Sequence, residues 1–370
     1  MSFPLPGENV ASVLRAALVA SVPLALPFVL PLAALSAQEP GFELVPVATG
    51  VYAAIRTETS SNVVIGNSLI VVNDADVVVV DAGGTPAAAR ALIAGIRRLT
   101  PKPVSHVVST HWHDDHVMGN QAFREAWPSV EFVAHPATRE AMTTTAVANR
   151  EQFVKGLPGI LDFVRGQVAA GQGLDGEAAD SAELGSLRAD VALGEAYLAQ
   201  VPSFRVTLAT IPVERRMRLS RGGRIIDIRW FGPANTDGDL VVHLPNEGIV
   251  ATGDLVVLPT PFFFRSHIAG WLGALDSLRA LRPGVIVPGH GPVLRGTGRL
   301  DDLSRALAAV RDQTRALAAR GLTWEQGRDS VNLEPHRHAF AGADRVRNAA
   351  WRNYFAGPAV RAGFEDAASR

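Results

Sequence analysis

The chain contains no cysteine among its 370 residues. Disulfide bonds are therefore excluded, and any metal site has to use nitrogen and oxygen ligands instead of thiolates. The sequence also lacks a basic run interleaved with aromatic residues, and its net charge is only -1. Nothing in it indicates nucleic-acid binding. A chain without cysteine is compatible with an oxidising compartment, although this absence alone decides little.

Residues 1–37 have the composition of a targeting segment. Residues 16–35 are almost wholly apolar, and the stretch ends in Leu35-Ser36-Ala37, which resembles a small-residue cleavage site. Prolines interrupt the apolar run and disfavour a stable membrane-spanning helix. We therefore expect a cleaved export signal and a periplasmic or extracellular protein. An uncleaved anchor and a wrongly assigned start are the alternatives.

The first half of the remaining chain predicts a strand–helix–strand unit. Val77 to Val80 is typical of a buried strand, and residues 81–84 form a tight turn after it. Pro86 to Leu99 has apolar residues at helical spacing, and Val104 to Thr110 predicts the next strand. Open α/β sheets place their sites at the carboxyl ends of strands, so we expect a site after Thr110.

Metal-binding side chains are concentrated in His111-Trp112-His113-Asp114-Asp115-His116. No helix or strand puts positions i, i+2 and i+5 on one face, so this stretch is expected on a loop that curls round one or two ions. A polar loop with chance histidines is the alternative, but it requires three of the 10 histidines to coincide with two aspartates. Imidazole and carboxylate groups are ligands that bind zinc.

Two further residues at predicted strand ends, Asp254 and His290, are expected to converge on the same point. The combined set of metal ligands is His111, His113, Asp115, His116, Asp254 and His290. This set exceeds what one tetrahedral zinc needs, so a two-metal site with Asp254 as the bridging carboxylate is the economical interpretation. Zinc is the expected cofactor, with one or two ions per chain, and iron or manganese are alternatives. The expected chemistry is hydrolysis by a metal-activated hydroxide, with Asp115 and Asp254 as catalytic carboxylates.

The same residues resemble the signature of the metallo-β-lactamase-fold hydrolase superfamily. His111 to His116 matches H-x-H-x-D-H, and Asp81, Asp254 and His290 stand in V-V-D-A-G, A-T-G-D and V-P-G-H-G-P. The resemblance implies an α/β fold, a four-layered αββα sandwich of the metallo-β-lactamase type. It also implies that His111 and His113 hold the first metal, that Asp115, His116 and His290 hold the second, and that Asp254 bridges them. Asp81 is expected to orient a ligand histidine, and Asp114 to lie behind the ligands or handle protons.

One position departs from the family pattern. Asn235 stands where the family usually has the third histidine of the first metal, while Thr236, Gly238 and Asp239 match. Three interpretations are open: a weak ligand, a hydrogen bond to a metal-bound water or substrate carbonyl, or a largely empty first site. The resemblance suggests a subgroup with asparagine at this position.

The expected function is that of an exported metal-dependent hydrolase of a small molecule with an ester, lactone, thioester or related amide bond. β-Lactam hydrolysis is an alternative, although dedicated β-lactamases of the family usually lack the carboxylate of Asp254. A non-catalytic periplasmic protein that binds a metal or ligand is the other alternative, motivated by Asn235. We expect no nucleic-acid partner and no stable membrane span after signal cleavage; the sequence does not indicate an oligomeric state.

The expected domain organisation is a metallo-β-lactamase-like domain over 41–300, with a helical insertion at about 137–200, and a helical extension over 301–370. The insertion either borders the site as a lid or substrate wall or only covers a sheet face. A linker is expected around residues 334–342. Residues 262–264 are all phenylalanine and could line an apolar pocket or pack in the core.

Overall fold

The computed structural model of the protein describes residues 41–56 and 66–368. The expected export signal over 1–37 lies outside the described residues. Among those described, no helix is both long enough and apolar enough to cross a membrane.

The first sheet has seven strands that lie side by side in the order of the chain. Its first three pairings are antiparallel and its last three are parallel. The strands are β1 (Phe42–Ala48), β2 (Val51–Arg56), β3 (Ser68–Val72), β4 (Val77–Val80), β5 (Val104–Val108), β6 (Glu131–Ala134) and β7 (Ile211–Pro212).

The second sheet has six strands, in the order β13-β12-β11-β10-β9-β8. All of its pairings are antiparallel except that of β11 with β12. The strands are β8 (Arg216–Arg221), β9 (Arg224–Trp230), β10 (Leu240–Leu244), β11 (Ile249–Val257), β12 (Val285–His290) and β13 (Leu294–Arg295).

Helices flank both sheets. They are α1 (Pro86–Leu99), α2 (Asp114–Val117), α3 (Asn120–Ala126), α4 (Pro136–Ala141), α5 (Thr145–Ala169), α6 (Ser181–Gln200), α7 (Ile268–Ala280), α8 (Gly298–Ala319), α9 (Trp324–Gly327), α10 (Glu334–Ala341), α11 (Arg345–Ala350) and α12 (Gly357–Ala368). Short 3₁₀ turns follow α6 and α9, at Val201–Ser203 and Arg328–Ser330, and the π-helical turn Trp351–Ala356 joins α11 to α12.

The four valines of β4 show how the layers form. Successive side chains of a strand point to opposite faces, so Val78 and Val80 pack between the two sheets while Val77 and Val79 pack against α1. All four are buried because the strand is covered on both faces. Helices α7 and α8 cover the outer face of the second sheet in the same way. The expected αββα sandwich is confirmed.

Residues 334–341 form helix α10, so the expectation of a linker there is wrong. Pro335 stands in the first turn, where its missing N–H costs no helical hydrogen bond. Phe340 is buried and stacks on Trp351, with 4.8 Å between ring centres. This packing with the chain's last helices, which local sequence does not reveal, stabilises the helix.

Candidate metal centre

Strand β5 delivers the histidine-rich stretch to the edge of the first sheet. His111 and His113 lie on the loop after β5, and Asp115 and His116 lie in the single helical turn α2. Asp254 and His290 come from the parallel pair β11 and β12 of the second sheet. They lie within these strands as the structure has them, although the sequence predicted that the strands end earlier. The two sheets therefore bring the residues to one place.

The donor atoms fall into two groups that share Asp254. The first ligand group is His111, His113 and Asp254, and the second ligand group is Asp115, His116, Asp254 and His290. Within each group, the donor atoms all lie within 4.8 Å of one another.

Asp254 turns one carboxylate oxygen towards each group. Its Oδ2 lies 3.6 Å from His111 Nε2 and 3.9 Å from His113 Nδ1. Its Oδ1 lies 3.2 Å from His116 Nε2 and 3.5 Å from His290 Nε2. On the far side of the second group, Asp115 Oδ2 is 3.1 Å from His116 Nε2 and 3.0 Å from His290 Nε2. A carboxylate in this position can bridge two cations.

The residues fit divalent cations. Imidazole nitrogens and carboxylate oxygens are ligands for zinc, iron and manganese. His116 Nε2 and Asp254 Oδ1 are buried, and neither makes a hydrogen bond to any residue that the structure describes. The two atoms lie 3.2 Å apart, at the distance of an ion pair, and buried polar atoms rarely lack a hydrogen bond, so they indicate that the site is built for a bound group.

Burial and charge perturb these groups strongly. Burial lowers the pKa of His111 to about 4, with help from the neighbouring histidines. Burial also opposes the charged form of His116, but the carboxylates of Asp115, Asp254 and Asp81 outweigh it and raise the pKa of His116 well above its ordinary value. Reciprocally, the histidines outweigh burial and hold the pKa of Asp254 well below its usual range. Metal ions bind the deprotonated forms of imidazole and carboxylate groups, so acidification should weaken metal binding.

Asp81 holds His116 from behind. Its Oδ2 lies 2.8 Å from His116 Nδ1, which leaves Nε2 directed into the second ligand group. The same carboxylate accepts hydrogen bonds from the backbone N–H and the hydroxyl of Thr110, at 2.7 and 2.8 Å. Thr110 Oγ1 also lies 3.0 Å from His111 Nδ1. Asp81 has φ of 59°, a strained conformation for a non-glycine residue that this network retains. Thr110 was not singled out in the sequence, where it is only the last residue before the cluster.

Asp114 pairs with Arg150 of helix α5. Arg150 Nε lies 2.6 Å from Asp114 Oδ2, and its Nη2 lies 2.8 Å from Oδ1. Asp114 thus lies next to the ligands without belonging to either ligand group. No sequence pattern marks Arg150, because it stands 36 positions from Asp114 in a helix of unrelated composition.

Asn235 is buried, with 1% of its surface exposed, and both of its side-chain amide atoms lack a hydrogen-bond partner among the described residues. Its loop is held by Asp239, which accepts hydrogen bonds from the backbone N–H and hydroxyl of Thr236 at 2.7 and 2.9 Å. Burial raises the pKa of Asp239 to about 7. The loop ends at Leu240, whose N–H donates to the carbonyl of Thr110, next to the ligands.

The phenylalanine run serves both roles that the sequence left open. Phe263 is buried and stacks on Trp271 in the core, with 5.8 Å between ring centres. Phe262 lies beside the metal centre, 6.2 Å from His290 between ring centres, and also contacts Tyr354 at 5.2 Å. Phe264 stacks on Phe262 and is 47% exposed. An apolar wall therefore leads from His290 to the surface.

Comparisons with known proteins agree with this arrangement. Residues 61–290 match the family model of the Metallo-beta-lactamase superfamily. The chain is 27% identical over 274 residues to a linear primary-alkylsulfatase from Pseudomonas sp. (strain ATCC 19151), a match that covers 70% of this chain and 48% of that protein. The chain thus spans about half the length of this curated relative.

Solved structures show the same fold. The stereoselective inverting sec-alkylsulfatase Pisa1 from Pseudomonas sp. gives a TM-score of 0.56 at 18% identity, with 86% of this chain and 50% of that chain covered. A double mutant of that enzyme gives a TM-score of 0.57 at 19% identity, with 88% and 50% covered.

Proposed function

Because the chain belongs to the metallo-β-lactamase superfamily, we propose that it is a metal-dependent hydrolase that cleaves sulfate esters of alkyl alcohols. The observation that carries the choice of substrate is the 27% identity to a linear primary-alkylsulfatase over 70% of the chain. This similarity supports a sulfate ester as the proposed substrate, in place of the broader expectation of an ester, lactone, thioester or amide. Export through residues 1–37 stays part of the proposal and rests on composition alone.

His111, His113 and Oδ2 of Asp254 would hold one ion, and Asp115, His116, His290 and Oδ1 of Asp254 would hold the other. Divalent ions bound there supply Lewis acidity, which polarises an ester oxygen and makes water a competent nucleophile near neutral pH. Asp254 sets the spacing of the two ligand groups, and Asp81 fixes the ring of His116. Zinc is proposed for the imidazole-rich donor set, with iron and manganese as the outcomes that elemental analysis would distinguish.

The apolar wall suits the other end of such a substrate. An alkyl sulfate has an anionic head and a hydrocarbon chain, so cations at the ligand groups and the rings of Phe262 and Phe264 would bind opposite ends of it. Burial of each methylene on the rings contributes about 0.8 kcal/mol. This arrangement favours alkyl sulfates over small sulfate compounds that lack a hydrocarbon chain.

The proposal predicts release of inorganic sulfate from a primary alkyl sulfate such as octyl sulfate by the metal-loaded protein. Sulfate release should stop on chelation and return with added metal, and it should exceed turnover of a carboxylic ester, lactone, thioester, phosphodiester or β-lactam. The measurement is sulfate formation with each metal tested separately. Failure of the fully metallated protein to release sulfate, together with cleavage of another class, would exclude this substrate.

We propose that Asn235 contacts a metal ion or the substrate, since its buried amide has no hydrogen-bond partner among the residues that the structure describes. Leaving a buried amide without a partner costs about 1–3 kcal/mol, so such a residue is expected to gain its hydrogen bonds or ligand when the site is filled. Replacing Asn235 by alanine should lower kcat/KM by about 10-fold or more, as expected for one lost contact of about 1.4 kcal/mol.

Replacement of Asn235 by histidine separates the interpretations. Loss of native activity would mean that the asparagine is adapted to its own chemistry. The non-catalytic alternative would be supported if the wild type hydrolyses no substrate and the Asn235→His variant gains both a second bound ion and new activity. Metal content and kinetics of both variants provide the measurement.

A further inference from the structure

The pair of Asp114 and Arg150 joins the metal loop to the helical insertion. The guanidinium makes two parallel contacts with the carboxylate, at 2.6 and 2.8 Å, and only 13% of the Arg150 side chain and 24% of the Asp114 side chain is exposed. A bidentate contact of this kind fixes the orientation of both partners, which a single contact does not.

Asp114 is the first residue of α2, the helical turn that also carries Asp115 and His116. A helix of one turn has little stability of its own, because nucleation is unfavourable and few hydrogen bonds follow it. Contacts from elsewhere must therefore set the orientation of the two ligands. Asp81 holds His116, and the N–H of Gly66 donates to the carbonyl of Asp115 at 3.2 Å. The N–H of Ala82 donates to the carbonyl of His116 at 2.9 Å, and Arg150 adds a side-chain contact at the start of the turn.

Aromatic packing between α5 and α6 lies next to Arg150. Phe153, on the next turn of α5, packs edge to face with Tyr197 of α6, with 5.5 Å between ring centres. Tyr197 packs in the same way on Phe204, at 5.4 Å. Tyr197 is buried, and burial together with the nearby charge of Asp114 raises the pKa of its hydroxyl. Packing of both long helices of the insertion, α5 and α6, thus stabilises the segment from which Arg150 contacts Asp114.

Removing Arg150 would have two opposing effects on a metal ion. The lost positive charge would favour a cation, because Asp114 would add negative charge near Asp115. The unpaired, largely buried carboxylate would also be costly and would drive the turn towards water. We expect the second effect to be the larger one, since Arg150 makes the only hydrogen bonds to the Asp114 side chain among the described residues.

We propose that Arg150 is a positioning residue for the second ligand group: the helical insertion holds Asp115 and His116 in place through Asp114. Metal affinity at this group therefore depends on the insertion. The inference rests on the metal centre of the proposed function but not on the identity of the substrate.

The test begins with metal-free protein and measures its affinity for Zn²⁺ by competition with a chromogenic chelator. A second measurement records the visible spectrum of the Co²⁺-loaded protein. Arg150→Met and Arg150→Lys should each weaken binding of the ion at the second group by about 10- to 100-fold, as loss of partners behind metal ligands typically does. Their cobalt spectra should change. Lysine keeps the charge but not the two-pronged contact, so it should not restore binding.

Arg216 offers a control away from the metal centre, on an aspartate that also pairs with Arg229. It makes the same bidentate contact with Asp227, at 2.7 and 2.8 Å, on the hairpin of β8 and β9. Arg216→Met should leave metal affinity and the cobalt spectrum unchanged. The double variant Asp114→Asn with Arg150→Met removes both charges, and it should remain weakened because the contact is still absent.

Wild-type affinity in Arg150→Lys, or affinity in Arg150→Met equal to or above that of the wild type, would overturn the proposal. Equal losses in Arg150→Met and Arg216→Met would do so as well, because they would show general destabilisation. Weakened metal binding with no release of sulfate from octyl sulfate by the wild type would uphold the positioning role and exclude the proposed substrate. If the wild type releases sulfate and every variant binds metal normally, the positioning role would be excluded and the proposed function would stand.

Discussion

Replacement of Asp254 by asparagine is expected to lower hydrolysis by at least about 10³-fold and to leave no more than one tightly bound metal ion per chain. The side chain keeps its shape, so the change removes the negative charge and replaces one of the two donor oxygens by an amide nitrogen that does not bind a cation. Asp254 is the residue common to both ligand groups, and it is the only one whose two oxygens face different groups in the described structure. Metal content by elemental analysis, together with sulfate release, measures both effects.

A second buried aspartate provides the control for this change. Asp227 is 1% exposed and lies in the same sheet, where it pairs with arginines instead of histidines. Asp227→Asn should reduce thermal stability without changing the number of ions bound. An Asp254→Asn protein that still holds two ions and hydrolyses within tenfold of the wild type would refute the bridging role.

Replacement of Gly289 by alanine is expected to lower activity because the added methyl group would clash with Asp254 in the metal centre. A Cβ at this position would lie 2.0 Å from Asp254 Oδ1, with the backbone of Gly253 and Asp254 at 2.8 and 3.0 Å. Backbone atoms on that side cannot move cheaply, so the carboxylate must shift. A misplacement of about 1 Å can cost about 10²-fold in rate, and we expect a loss of at least that size.

Gly284, at the start of the same segment, is the matched control for Gly289. A Cβ there would meet nothing closer than the carbonyl oxygen of Gly248, at 3.8 Å. Gly284→Ala should therefore retain metal binding and activity, while Gly289→Ala should lose affinity for the second ion. Full activity in Gly289→Ala would mean that Asp254 does not need its observed position.

Much of the architecture follows from local pattern. The valines of β4 and β5 and the helical spacing of α1 predict the strand–helix–strand unit, and the motifs around Asp81, Asp254 and His290 predict the family, which is confirmed. The strand through Asp254 was predicted to end too early. It continues to Val257 because Leu255, Val256 and Val257 are buried in the outer core of the second sheet and beside β12. This packing depends on distant elements.

The features that position the ligands were harder to predict. Thr110, Gly289 and Arg150 act through contacts with residues far along the chain or in other elements, and no periodicity marks them. Arg150 also bears on the helical insertion, which the sequence placed either beside the site or over a sheet face. Its contact with Asp114 supports the first interpretation. Asn235 departs from the family pattern, and its buried amide, which has no hydrogen-bond partner among the described residues, fits a metal ligand or a substrate contact.

The central claim is that two ligand groups sharing Asp254 form a metal centre on which hydrolysis depends. The most direct measurement titrates the metal-free chain with Zn²⁺ and records bound ions per chain and sulfate release from octyl sulfate in the same samples. Activity that rises with bound metal and saturates at two ions, or at one if Asn235 leaves the first group empty, is the predicted result. Activity that is independent of metal, or a chain that binds none, would contradict the claim.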